Sequence, residues 1–200
     1  MTRLVFMGID PGTKNFALTI TYFENKRYRV KKAVMFKRPI ILMDTTVEAE
    51  TKIFVKEFKR LFLKYKPKNV GIELFMARNF RSNLGVPVNY MIGVLAATCI
   101  ELGITINPIM PSSWKRDLKK YVIDVKLLYD RSYPVKARFP DHIIDAILLG
   151  IFGYRKTFKG IKLAHVQELI ECQRNLFILA HPELLIVKRK GPQKKKKSKK

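Results

Sequence analysis

Asp10 closes an apolar run, Glu73 closes a second, and Asp145 lies in a late helical pattern beside Asp141 and His142. These acids stand in a 200-residue chain with 40 Lys+Arg against 16 Asp+Glu, a formal net charge of +24. Carboxylates gathered in one place repel one another, so they need a cation to hold them together. A chain this basic is built to approach a polyanion, nucleic acid first and an anionic membrane surface second. The two properties together point to a metal-dependent enzyme that cuts nucleic acid.

Carboxylate oxygens suit Mg²⁺, which also keeps water and takes substrate phosphate. Two such ions, about 3.5–4 Å apart, clamp the attacking water and the leaving oxygen of a phosphodiester. His142 is less usual on magnesium and suits Mn²⁺ somewhat better; alternatively it serves as a base on the water. On a helix, His142 and Asp145 share a face, and so do Asp141 and Asp145. Plainer readings exist for some of these residues. Asp before Pro11-Gly12 is most often a turn former, and Asp141 after Pro140 equally suits a helix N-terminus. Glu73 and Asp145 resist such readings, because each sits among apolar neighbours and a buried, unpaired carboxylate is expensive.

The elements that must position these groups are legible in the periodicity. Arg3 to Ile9 reads as a buried strand entering a turn at Asp10-Pro11-Gly12, and Phe16–Phe23 and Tyr28–Phe36 as two more strands joined at Asn25-Lys26. A helix follows, with Thr45 and Glu48 at capping-box spacing, Phe54, Phe58, Leu61, Phe62 and Tyr65 at helical intervals, and Pro67 as its stop. Asn69–Leu74 is a fourth strand, Asn83–Leu102 a long apolar helix closed by Gly103, and Ile104–Ile109 a fifth strand. A basic segment from Trp114 to Lys120 comes next, and the stretch to Phe139 is ambiguous. Pro140 opens a helix to about Phe152, and Ile161–Phe177 is one more. This order predicts an α/β fold with a mixed five-stranded sheet flanked by helices. If the first and fourth strands are neighbours, Asp10 and Glu73 stand side by side at strand ends, where functional groups of open sheets collect.

Composition sets the outer limits. Hydrophobic residues make up 48% of the chain, enough for a sizeable core. Lys188–Lys200 carries nine Lys/Arg and no acid, and the rest of the chain still holds +15. Cys99 and Cys172 have no metal-ligand spacing, Cys99 reads as core packing, and the pair suits a reducing compartment. The N-terminal apolar run is too short for a signal-peptide core, and no stretch approaches the length of a membrane span.

The motifs carry a resemblance. Gly8-Ile9-Asp10-Pro11-Gly12-Thr13 resembles the first motif of RuvC-type Holliday junction resolvases. Ile72-Glu73 with Phe75-Met76-Ala77-Arg78-Asn79, Ser82 and Leu84-Gly85 resembles the second, and Asp141-His142-Ile143-Ile144-Asp145-Ala146 the third. The three are specific together and span residues 8–152 in the right order. The resemblance implies an RNase H-like fold and a homodimer that resolves four-way DNA junctions by paired symmetric nicks, with two Mg²⁺ ions per active site and Mn²⁺ able to substitute. It matches Asp10, Glu73 and Asp145 to metal-binding acids, and places His142 where members carry Asp or His. Asp141 is the alternative ligand beside Asp145. Phe75 resembles an aromatic that stacks on DNA, with core packing as its other reading; it lies one residue closer to Glu73 than in the bacterial pattern.

On this reading residues 1–156 form the nuclease domain, 157–187 a helical C-terminal extension and 188–200 a disordered Lys-rich tail. The extension is not typical of bacterial members and suits a phage or other viral relative. Arg78 and Arg81, and Lys115, Arg116, Lys119 and Lys120 around Trp114, are the DNA-binding candidates; as a set they predict steeply salt-dependent binding. The expected setting is cytoplasmic or nucleoid-associated, or nuclear or in a viral factory in a eukaryotic host. Three alternatives follow from the residues: an RNase H-type nuclease on RNA–DNA hybrids or other branched DNA, a non-catalytic basic nucleic-acid-binding protein, and an actin-like ATPase. The last needs two copies of the fold, and this chain has room for one.

Overall fold

The computed structural model describes residues 4–12, 15–37, 47–74, 85–122, 124–129, 132, 140–180 and 182. Five strands, β1 (Leu4–Asp10), β2 (Asn15–Glu24), β3 (Arg27–Lys37), β4 (Asn69–Glu73) and β5 (Thr105–Ile109), form one sheet in the order β3-β2-β1-β4-β5. β1, β2 and β3 pair antiparallel, and β4 and β5 add on in parallel with β1. The β2–β3 turn falls on Asn25 and Lys26, both with positive φ, as a tight hairpin turn requires.

Alternation along the strands divides the core. Met7, Ile9, Leu18, Ile20, Val70 and Ile72 bury against α1 (Val47–Tyr65) and α2 (Gly85–Glu101). On the opposite face, α3 (Pro111–Tyr121), α4 (Asp141–Arg155) and α5 (Leu163–Ala180) share a second core with Phe6, Ala17 and Ile109. α3 was expected only as a basic segment. Its burial of Trp114 and Leu118, four apart, shows one apolar stripe with lysines outside it. α5 buries Val166, Leu169 and Ile170 in the same core as α4, and the Gln173 amide donates to the Val30 carbonyl at 3.0 Å.

α4 lies directly on the sheet because both surfaces lack side chains where they meet. Gly8 and Gly71 are register partners on β1 and β4. A Cβ on Gly8 would fall 1.7 Å from the Ala146 carbonyl oxygen, and one on Gly71 would fall 2.3 Å from that of Leu149. Gly150 and Gly153 supply the matching small surface on α4. The helix can therefore approach backbone to backbone, a closeness that periodicity alone does not predict. Cys99 is buried, and burial pushes its thiol up to about 11, in keeping with its reading as core packing.

Candidate active site

Strand parity and the glycine seam bring the acids together. Asp10 lies two residues beyond Gly8 and Glu73 two beyond Gly71, so both carboxylates leave the sheet on the face that α4 covers. The β1–β4 register runs Phe6↔Asn69 through Ile9↔Ile72, and its next step sets Asp10 beside Glu73. The Leu74 amide donates to the Ile109 carbonyl at 2.9 Å and pins the backbone just after Glu73. α4 starts above this end, with Asp141 and His142 in its first turn and Asp145 one turn further. Its N-terminus thus faces the carboxylates with the positive end of its dipole.

Each acid is held by a partner from a different element. Asp10 is buried, and its Oδ2 lies 2.7 Å from His142 Nδ1. The Trp114 indole donates to Glu73 Oε1 at 3.2 Å, and Lys115 Nζ lies 3.5 Å from the same oxygen. The Tyr129 hydroxyl, from a 3-10 turn at Val125–Tyr129, donates to Asp145 Oδ1 at 2.5 Å. As these side chains stand, no three His, Cys, Asp or Glu form a ready ligand group among the described residues.

The electrostatics show how far these partners fall short of neutralising the cluster. Burial pushes the Asp145 carboxyl up to about 6; Tyr129 and Lys115 oppose that rise, while Asp10 and Glu73 add to it. Burial also raises Glu73, and Asp10 adds to the rise although Lys115 and Trp114 counter it. His142 is raised chiefly by its bond to Asp10. Tyr129 is raised by burial and then by Asp145, so its hydroxyl stays a donor. Holding the Asp145 carboxyl at about 6 instead of the ordinary 3.8 disfavours its ionised form by ~3 kcal/mol. The donor set is hard oxygen with more negative charge than local cations balance. It fits divalent magnesium or manganese.

Sequence reading named Asp10, Glu73, His142, Asp145 and Lys115, and the fold brings them to one end of the sheet. Asp141 opens α4 beside them, part-buried. Arg116, Lys119 and Lys120 are exposed on α3. Phe75, Arg78 and Arg81 lie outside the described residues. Tyr129 was missed because it falls in a stretch without periodicity. In the sequence Trp114 stands out only as the centre of a basic segment, although a buried indole needs an acceptor.

The sheet order, with helices on both faces and acids at the ends of β1 and β4, defines an RNase H-like α/β fold. No family model matches the chain. Over 160 residues the chain is 29% identical to the crossover junction endodeoxyribonuclease RuvC of Treponema denticola, covering 74% of this chain and 84% of that protein. Two Thermus thermophilus RuvC structures superpose on it. One is in complex with a Holliday junction substrate, at TM-score 0.57 and 18% identity, covering 78% of this chain and 96% of that one. The other gives TM-score 0.58 at 17% identity, over 78% of this chain and 98% of that one. The chain resembles RuvC-type Holliday junction resolvases in sequence and in fold.

Proposed function

We propose that this protein is a divalent-metal-dependent endonuclease that resolves four-way DNA junctions by paired nicks. The observation that carries the reading is the convergence of Asp10, Glu73 and Asp145 at one sheet end, with burial and mutual repulsion raising two of them. Asp10, Glu73 and Asp145 would hold the cations, with Asp141 or His142 beside them. When bound, a pair of divalent ions supplies charge neutralisation and Lewis-acid polarisation of the phosphodiester.

The protein's own groups do the rest. Trp114 and Tyr129 fix the rotamers of Glu73 and Asp145 through their donated hydrogen bonds. His142 sits half in solvent, with 44% of its side chain exposed, where it can reach an attacking water. The Asp10 contact is the chief cause that raises His142, so engagement of Asp10 elsewhere would lessen that rise and free the ring nitrogen for a role as base on the water. Lys115 stays beside Glu73, placed to meet the phosphate undergoing attack. Exposed Arg116, Lys119 and Lys120 on the same helix, with Phe75, Arg78 and Arg81, would contact the DNA backbone and bases near the junction centre.

Paired nicks need two sites related by a two-fold axis, hence a homodimer. The solvent face of α2 suits the interface. Tyr90 and Ile100 are 53% and 74% exposed, and Gly93 between them has open space above its Cα.

The test is cleavage of a synthetic immobile junction with and without Mg²⁺, beside an RNA–DNA hybrid of matched length. Mg²⁺-dependent, symmetric nicking of the junction is expected. Asp10→Asn and Glu73→Gln should abolish nicking while preserving junction binding. Preferential cutting of the hybrid, or undiminished nicking by both variants, would refute the proposal.

A further inference from the structure

Asp10 and Glu73 mark one end of the sheet; the other end carries a separate concentration of positive charge. Lys26 and Arg27 sit at the β2–β3 turn, beyond the row in which Leu4, Phe23 and Tyr28 pair. Lys66 and Lys68 connect α1 to β4, and the Lys68 amide donates to the Val5 carbonyl at 2.9 Å. Arg155 closes α4, donating to the Tyr28 hydroxyl and to the Lys159 carbonyl, each at 3.3 Å. These six side chains are exposed. Of the acids on the strand and helix ends that meet here, Glu24 adjoins the turn and Glu101 is already taken up by Lys59 at 2.8 Å.

Backbone conformation indicates that the charge is not incidental. Lys26 and Lys66 have φ of 62° and 45°. Both are left-handed positions, the second residue of a tight hairpin turn and the residue just after a helix, where glycine is the unstrained choice. The chain does use glycine after α2, where Gly103 has φ 66°. Lys156, just after α4, has φ 62° as well, so among the described residues lysine holds three of the four non-glycine left-handed positions at this end, Asn25 being the fourth, as a surface selected for charge would show.

We propose that this end is a second duplex-binding surface, gripping the phosphate backbone of a DNA segment other than the one held at the acids. β1 alone separates the two ends by about 20 Å, at about 3.3 Å per residue. A duplex running across one end therefore leaves the other free for a separate duplex. The choice of duplex DNA as ligand rests on the function proposed above, but its test needs no cleavage.

The experiment uses the full chain carrying Lys26→Gly, Arg27→Gln, Lys66→Gly and Lys68→Gln together. Binding of a labelled blunt duplex is measured in EDTA across a salt series, with thermal unfolding alongside. Glycine at 26 and 66 relieves the left-handed strain, so Tm should stay level or rise. Affinity should fall at least tenfold, and the log–log salt slope should flatten by about 0.9 for each phosphate no longer neutralised. Should that variant unfold, Lys68→Gln with Lys159→Gln alters no left-handed position and should weaken binding in the same direction. Asp10→Asn protein saturated with unlabelled junction should still capture the labelled duplex, and should lose it when the four substitutions are added. Unchanged affinity and slope in a folded variant would overturn the inference. So would full competition by the junction, or loss of binding to phosphatidylserine–phosphatidylcholine vesicles with duplex binding intact. Failure of the wild type to nick a junction would count against the nuclease reading and leave these binding results interpretable.

Discussion

Asp145 shows how a single side chain can report the state of the whole site. Its folded value of about 6 stands above the ordinary 3.8, so the folded protein holds that proton more tightly than the unfolded chain does. Its contribution to metal-free stability therefore worsens as pH rises from about 4 through 6, by up to ~3 kcal/mol. Glu73 is shifted the same way and has the same sign. The stability that His142 gains from Asp10 is present at low pH and is lost as pH rises through its raised folded value. Urea titrations in EDTA at about pH 4.5 and 7.5 should show Asp145→Asn gaining on the wild type as pH rises, and Mg²⁺ should narrow the gap. Equal pH dependence in the two proteins would contradict this. Tyr129→Phe removes a donor to Asp145, so Mn²⁺ affinity by calorimetry should fall about tenfold or more.

At the scale of elements, the seam between β1, β4 and α4 decides whether the acids meet at all. Backbone cannot yield to a new methyl group as a flexible side-chain tip can, so the glycines should rank by what their Cβ would strike. Gly8→Ala, 1.7 Å from a carbonyl oxygen, should destabilise most, by at least about 2 kcal/mol. Gly71→Ala, at 2.3 Å, should follow, and Gly150→Ala, at 3.1 Å, should be mildest. Chemical denaturation checks the order. Metal affinity should fall in the same order, because lifting α4 carries Asp145 away from Asp10 and Glu73. The loop after α4 is secured separately: the Asp117 carboxylate accepts from the Phe158 amide at 2.6 Å and the Thr157 hydroxyl at 3.0 Å.

At the scale of the whole molecule, a +24 chain concentrates its function in a small acidic exception. On the proposed function the acids would be poor at approaching DNA alone; the basic surface around them would overcome the repulsion and make association sensitive to salt. Junction affinity should consequently drop by orders of magnitude between about 50 and 200 mM salt, read by fluorescence anisotropy. Ile100→Glu on the exposed face of α2 should convert the proposed dimer to a monomer in sedimentation, without loss of stability, since that side chain is 74% exposed. An unchanged mass would move the interface elsewhere. Among the described residues, no helix is long and apolar enough to cross a membrane.

The linear chain by itself set out the candidate groups for the chemistry and the kind of scaffold that holds them. Asp10 and Glu73 stand out because an acid at the end of an apolar run violates the local pattern, and strands and helices announce themselves by period. α3 was harder to read, since only its Trp114–Leu118 stripe distinguishes a helix from a basic loop. The fold alone decided that Tyr129 and Trp114 serve the acids, because hydrogen bonds between residues 16 and 41 positions apart leave no trace in local pattern. It also decided how near α4 lies. Gly8, Gly71, Gly150 and Gly153 acquire their meaning only when two backbones, distant in sequence, come into contact.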